Sequence, residues 1–200
     1  MLSALRLKAE GLPIRAIAGE GAYLPFPGSC FDGVVLARVL YLMADWREVL
    51  SEALRVLKAG SPLLHEWGNG DADEEWVQIR EHARRLFQRA GVAELFHPGA
   101  RFEAEIDAFL KTKGFRQVGE LQVQGDGIIT VGEFLQRIAA GEFSYTWGVP
   151  PEIQTPCLSE LKDWAAQRFG LERAVPFPRQ ISWKVYRGDA VYNNTLEPTG

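Results

Sequence analysis

Apolar positions along this chain recur with two periods, and the alternation between them sets out the elements. In residues 2–9, "LSALRLKA", Leu2, Leu5 and Ala9 stand at helical spacing, and Gly11 and Pro13 close the segment. "IRAIAG" (14–19) alternates and predicts a short strand, followed by a Pro- and Gly-rich loop through Gly28. "FDGVVLARVLYLM" (31–43) begins as a continuous, Val-rich buried strand and must turn before Asp45. From there "DWREVLSEALRVLKAG" predicts a helix. Asp45 is its N-cap, Glu48 completes a capping box, Val49, Leu50, Ala53, Leu54 and Leu57 form the apolar face, and Gly60 ends it at C′. "PLLHEW" (62–67) is a second buried strand. The order of helix, strand, strand, helix, strand is the alternation that builds a parallel sheet.

The second half reads as mostly helical. "DADEEWVQIREHARRLFQRAGV" (71–92) places Trp76, Ile79, Ala83, Leu86 and Phe87 on one face. "AEIDAFLKTKGF" predicts a compact helix ending at Gly114, and "RQVGELQVQ" a strand of strict alternation. Two more helices, "TVGEFLQRIAAG" and "SELKDWAAQRFG", flank the aromatic linker "EFSYTWGVPPE", and "ISWKVYRG" closes the sheet. This organisation gives one domain over 1–188, with helical insertions at about 71–112 and 130–170, and a polar tail over 189–200.

Composition narrows the function classes. A 46% hydrophobic and 24% charged chain of 200 residues is an ordinary globular domain. With a net charge of −4 and no basic run, nothing suggests nucleic acid as a partner. No apolar stretch reaches the roughly 20 residues of a membrane span, and no signal peptide is evident. Cys30 and Cys157 form no C-x-x-C and read as reduced thiols, so the expected location is cytoplasmic.

The stretch "GEGAYLPFP" (19–27) poses the chemical question, since a G-x-G after a strand invites a phosphate-binding reading. A dinucleotide turn needs a third glycine and an immediate helix, whereas Pro25 and Pro27 deny helical continuity here. Taken with "FDGVVLARVL" and "DWREVLSEALRVLKAGSPLLHEW", the stretch resembles the class I S-adenosylmethionine-dependent methyltransferases, the type 11 group. That family typically reads G-D-A-x-x-L-P-F, then F-D-x-V, then a helix ending R-V-L-K-P-G-G and an apolar strand. The correspondence spans residues 14–67 with its spacing kept. Ala59-Gly60-Ser61 departs from it where the family has Pro-Gly-Gly.

The resemblance implies a Rossmann-like α/β fold, S-adenosyl-L-methionine as cofactor and methyl transfer to a small-molecule acceptor. By the same carry-over Glu20 would bind the adenine amino group and the Gly21 N–H the ring nitrogen. The family's glycine-rich loop and the acidic residue that holds the ribose are not among these 200 residues. The resemblance therefore implies a methyltransferase sheet with its first strands missing, truncated at the N-terminus, with a helical insertion before the last strands. Weak or absent cofactor binding is the expectation, and a non-catalytic remnant or interaction module is the alternative. With strands missing, "IRAIA" and "GVVLA" are expected to pair directly, the other options being a homodimer through the open edge or a loose N-terminal segment.

Other candidates carry a bland reading beside the sharp one. Ala37 and Arg38 end a strand at the ligand-facing edge of a parallel sheet, and Arg38 either reaches cofactor or substrate or makes a surface ion pair. Tyr41 either caps the pocket or packs. His65-Glu66 is either a general-base pair or a hydrogen-bonded strand end. It is not H-E-x-x-H, so no metal site is expected. Asp71, Asp73, Glu74 and Glu75 read as first-turn acids favoured by the helix dipole. "FSYTW" (143–147) lines an acceptor pocket or forms core. No catalytic residue is assigned, because in-line positioning carries such a reaction.

Overall fold

The computed structural model describes residues 11–68, 74–92, 98–125, 127–176 and 180–188. Residues 2–9, the acidic Asp71 and Asp73, and the tail from 189 lie outside the described residues.

The Val-rich run forms β1 (Val34–Ala37), followed by a single 3-10 turn (Leu40–Leu42) and helix α1 (Trp46–Val56). Helix α1 buries Trp46, Val49, Leu50, Ala53 and Val56, the face expected of its periodicity. Its ends differ from expectation. Asp45 occupies the N-cap position but its side chain makes no cap hydrogen bond, so the capping box does not form. The helix stops at Val56, and Gly60, at a φ of 72°, instead serves the turn that follows.

Strand β2 (Leu63–Glu66) precedes α2 (Glu74–Arg89) and α3 (Glu103–Thr112). Then come β3 (Phe115–Gln124), β4 (Ile128–Thr130), α4 (Val131–Ala139), α5 (Pro151–Arg168), β5 (Ala174–Pro176) and β6 (Gln180–Gly188). Thr130 caps α4 through a capping box with Glu133.

The main sheet has the order β1-β2-β6-β3. Strands β1 and β2 are parallel, with Val34 opposite Leu63 and Ala37 opposite Glu66, while β6 lies antiparallel between β2 and β3. The sheet is therefore mixed, not all parallel, and the strand expected to close it occupies an interior place. A small second sheet pairs β4 with β5.

Direct pairing of residues 14–18 with 33–37 is contradicted. Residues 14–18 form no strand, and β1 pairs with no described strand other than β2. Ile14 and Ile17 are half exposed and Val35 is 60% exposed. The physical reason lies in the route of the chain from Gly21 to Ser29, which runs beside α1. Gly21 abuts Val49 in the first turn, and the Leu24 N–H donates to Glu52 Oε2 at 2.9 Å. The Ser29 N–H then donates to the Arg55 carbonyl at 2.9 Å, in the last turn. This anchoring fixes residues 20–31 on α1 and leaves the outer edge of β1 without a described partner.

Residues that face each other across a sheet share a side. One side, carrying Val34, Leu63 and Tyr186, belongs to a core built with Leu50 from α1 and Ile106 and Leu110 from α3. The other carries Val35, Leu64, Val185, Leu121 and Val123. Of these, Val35, Leu121 and Val123 are each more than half exposed. A second core, separate from the first, joins Ile79 and Phe87 of α2, Phe134 and Ile138 of α4, and Leu161 of α5.

Candidate functional site

The route along α1 determines where the candidate site sits. Because Gly21 lies at the first turn of α1 and Ser29 at its last, the chain descends between them. Strand β1 then carries it back up. Glu20 and Gly21 are thereby at the carboxyl end of β1, the end where open α/β sheets bind ligands. A Cβ on Gly21 would stand 3.2 Å from Met43 Cε and from Val49 Cγ2, so glycine lets the backbone lie close against α1 without pressing on either side chain. Glu20 is exposed and forms an isolated bridge with Tyr23, whose N–H donates to the Glu20 carbonyl at 3.1 Å.

A pair that sequence reasoning misses holds this loop. Arg55 donates from Nε to Glu52 Oε1 at 2.6 Å and from Nη2 to Glu52 Oε2 at 2.8 Å, a two-point contact. Its Nη1 also donates to the Phe26 carbonyl at 2.9 Å. The Arg55 hydrogen bond, opposed by burial, lowers the Glu52 pKa. The i,i+3 Glu-Arg spacing on the polar face of α1 is the available signal, but such pairs are usual on solvated helices.

Ala37 is exposed at the end of β1, beside Arg38. Arg38 adopts a φ of 51°, uncommon for a non-glycine residue. Its backbone N–H donates to the Glu66 carbonyl at 2.9 Å and its Nε donates to Glu66 Oε2 at 2.9 Å. The Glu66 carboxylate is buried, while the Arg38 side chain is 49% exposed. Arg38 is therefore an ion-pair partner clasped to β2. Its aliphatic stem also lies where a Cβ on Gly68 would fall, 3.1 Å from Cγ. Glu20-Gly21 and Ala37-Arg38 thus share one end of the sheet.

His65 and Glu66 do not act together, because neighbours on a strand point to opposite sides. Glu66 turns to Arg38, and His65 turns to α3, where its Nδ1 stands 3.8 Å from Glu103 Oε1 with no hydrogen-bond partner. Lys184 donates to Asp107 Oδ2 at 2.9 Å and pairs with Glu103 at 3.2 Å, and the Tyr186 hydroxyl donates to Asp107 Oδ1. Trp67 lies beside the imidazole, ring centres 6.1 Å apart. His65 is 1% exposed, which removes it from contact with a substrate. Burial, the largest cause, lowers its pKa from 6.5 to about 4; the Asp107 charge opposes this and the Lys184 charge adds to it.

A pH dependence follows from His65. Between pH 6.5 and 4 the unfolded chain binds a proton that the folded one refuses, so stability is full above about pH 6.5 and falls as pH drops. The slope is about 1.4 kcal/mol per pH unit, roughly 3 kcal/mol in all. Urea unfolding at pH 7.5 and 4.5 should show the loss, and His65→Gln should flatten most of it. An equal loss in His65→Gln would assign the effect to the carboxylates.

Tyr41 packs edge-on against Trp67 with ring centres 5.7 Å apart. Within "FSYTW", Phe143 stacks on Tyr145 and both join the helical core. Trp147 is 55% exposed and donates from Nε1 to the Gly141 carbonyl at 2.8 Å. Glu75 pairs with Arg173, and no cluster of potential metal ligands occurs among the described residues. No described helix is long and apolar enough to cross a membrane.

Three comparisons bear on this geometry. Residues 1–64 match the family described as a methyltransferase domain. Over 66 residues the chain is 39% identical to demethylmenaquinone methyltransferase of Thermus thermophilus, 32% of this chain and 30% of that protein. The chain thus spans less than a third of the length of that relative. A crystal structure of a candidate methyltransferase from Bacillus halodurans superposes with a TM-score of 0.50 at 15% identity, covering 92% of this chain and 76% of the other. The YcgJ protein of Bacillus subtilis gives 0.48 at 17% identity, covering 94% and 76%. At such identity the Bacillus halodurans superposition speaks for the fold alone. The sequence match and the shared fold meet at the loop that carries Glu20: residues 1–64 are similar to the methyltransferase domain family, and the chain as a whole has a Rossmann-like α/β fold similar to that of the Bacillus halodurans structure.

Proposed function

We propose that this domain serves methyl transfer from S-adenosylmethionine to a small acceptor, with Glu20 and Gly21 as its contribution to the adenine end of the cofactor. The observation that carries the reading is the position of Glu20, an exposed carboxylate beside a glycine that admits close approach, at the carboxyl end of β1. The fit is to one end of the cofactor. A carboxylate can accept from the adenine amino group, and the Gly21 N–H is not used by the backbone hydrogen bonds that fix the loop. Arg38 fits the other end poorly, since its Nε is already given to Glu66. When bound, the cofactor supplies an electrophilic methyl group. Catalysis of that chemistry rests on alignment and exclusion of water, which agrees with the lack of an assigned catalytic residue. Two thiols without a disulfide suit a cytoplasmic enzyme.

Adenosine at millimolar concentration tests the reading on the chain itself. Amide shifts at Gly21 and Ala22 should follow adenosine, vanish in Glu20→Ala and persist in Glu66→Gln, since a carboxylate-amine bond is worth a measurable increment. Equal responses in the two variants would remove Glu20 from the site.

A second reading, an interaction module, draws on the edge of β1 that no described strand covers and on the exposed Val35, Leu121 and Val123. An apolar strand with unpaired donors and acceptors is a template for a second copy of this chain. Sedimentation should then show a dimer that Val35→Lys dissociates. A monomer at about 100 μM, a concentration at which even micromolar affinities saturate, would dismiss it.

A further inference from the structure

We propose that Arg80, Arg84 and Tyr145 form an oxyanion-binding site in the helical half of the protein, one that takes a carboxylate or phosphate group. The observation is a set of donors without acceptors. The Nε atoms of Arg80 and Arg84 and the hydroxyl of Tyr145 are each buried and none has a hydrogen-bond partner. Tyr145 is 5% exposed and sits in the core that α2 builds with α4 and α5. Arg80 and Arg84 stand four residues apart on α2, so their side chains rise from the same face. They are near enough to Tyr145 for their charges to counter the effect of burial, which raises the pKa of its hydroxyl.

The chemistry of the three groups selects the ligand. A guanidinium only donates, and a tyrosine hydroxyl donates readily, so the missing group is an acceptor. The arginines bring two positive charges, against which the helix offers Glu81, whose Oε1 lies 3.6 Å from Arg84 Nη1 with that arginine's side chain 36% exposed. A water would satisfy donors without balancing charge. An oxyanion does both, and its paired oxygens match the fork of a guanidinium. Buried polar groups are ordinarily satisfied, so unmet donors on two neighbouring arginines of α2 and on a tyrosine of the core that α2 builds call for a partner. The site belongs to the helical core, apart from the loop that carries Glu20, and it stands whether or not the domain transfers methyl groups.

The test is a titration of the full chain, without cofactor, by inorganic phosphate and by acetate, with chloride at matched ionic strength. Thermal melting and amide shifts of α2 are the readouts. Phosphate or acetate should raise the melting temperature saturably where chloride does not. The tighter of the two identifies a phosphate or a carboxylate ligand. Arg80→Gln and Arg84→Gln should each weaken binding about tenfold or more. Tyr145→Phe covers the case in which an arginine variant fails to fold. It should weaken the anion while the free protein melts no lower, since it deletes only an unsatisfied hydroxyl. An identical response to chloride, or unchanged affinity in Tyr145→Phe and the arginine variants, would overturn the site.

Discussion

Titration calorimetry of this 200-residue chain with S-adenosylmethionine is expected to give a dissociation constant no tighter than about 1 mM. On the proposed reading, Glu20 and Gly21 are the residues that would contact adenine. Arg38, the cation that follows β1 at the same end of the sheet, is committed to the buried Glu66 carboxylate. Freeing it would strand that carboxylate, at a cost comparable with any hydrogen bond Arg38 could make to the cofactor. The glycine-rich loop and ribose-binding acid that the family resemblance calls for are not among these residues. Each charge-assisted hydrogen bond absent from the site forgoes about 1.5–3 kcal/mol, so three or four remove several decades of affinity. A low-micromolar constant would sink the argument, and would mean that residues beyond Glu20 and Gly21 grip the cofactor in this chain.

The second large effect is structural. Gly99→Ala should destabilise the fold by about 3 kcal/mol or more, a large share of the stability of an ordinary domain. A Cβ at position 99 would stand 2.0 Å from the Leu40 carbonyl oxygen and 2.7 Å from that of Met43. Both are backbone atoms, so no rotamer relieves the overlap and the chain itself must move. The contact is held from both sides. The Gly99 N–H donates to the Tyr41 carbonyl at 3.1 Å and the Ala100 N–H to that of Leu40 at 3.2 Å. Any shift of this turn displaces Met43, against which Gly21 rests, so the candidate site would be disturbed along with the core. Urea unfolding at neutral pH measures the loss, and a midpoint equal to that of the unsubstituted chain would refute it. In the sequence Gly99 is only a glycine after proline, with nothing to mark it from the other loop glycines.

What the sequence determined by itself is local. The apolar period of 45–57 dictated α1 and its buried face, the Val-rich run dictated β1, and the pair of prolines at 25 and 27 excluded a phosphate-binding helix after Gly21. The spacing of "GEGAYLPFP" against the strands that follow also carried the resemblance to the methyltransferase domain family, and with it the candidate adenine position. Tertiary structure decided everything that depends on which surface meets which. "IRAIA" has the alternation of a strand, but alternation cannot supply a partner, and the hydrogen bonds of residues 20–31 with α1 hold the chain away from β1. The same physics separated His65 from Glu66. Adjacent in sequence, they lie on opposite faces of β2, one neutralised by burial under α3 and the other paired with Arg38. The place of β6 between β2 and β3 and the close approach at Gly99 join residues far apart in the chain. Periodicity reports only which face of an element is apolar. The partner that covers that face is chosen by packing between distant segments, and no pattern within one segment encodes it.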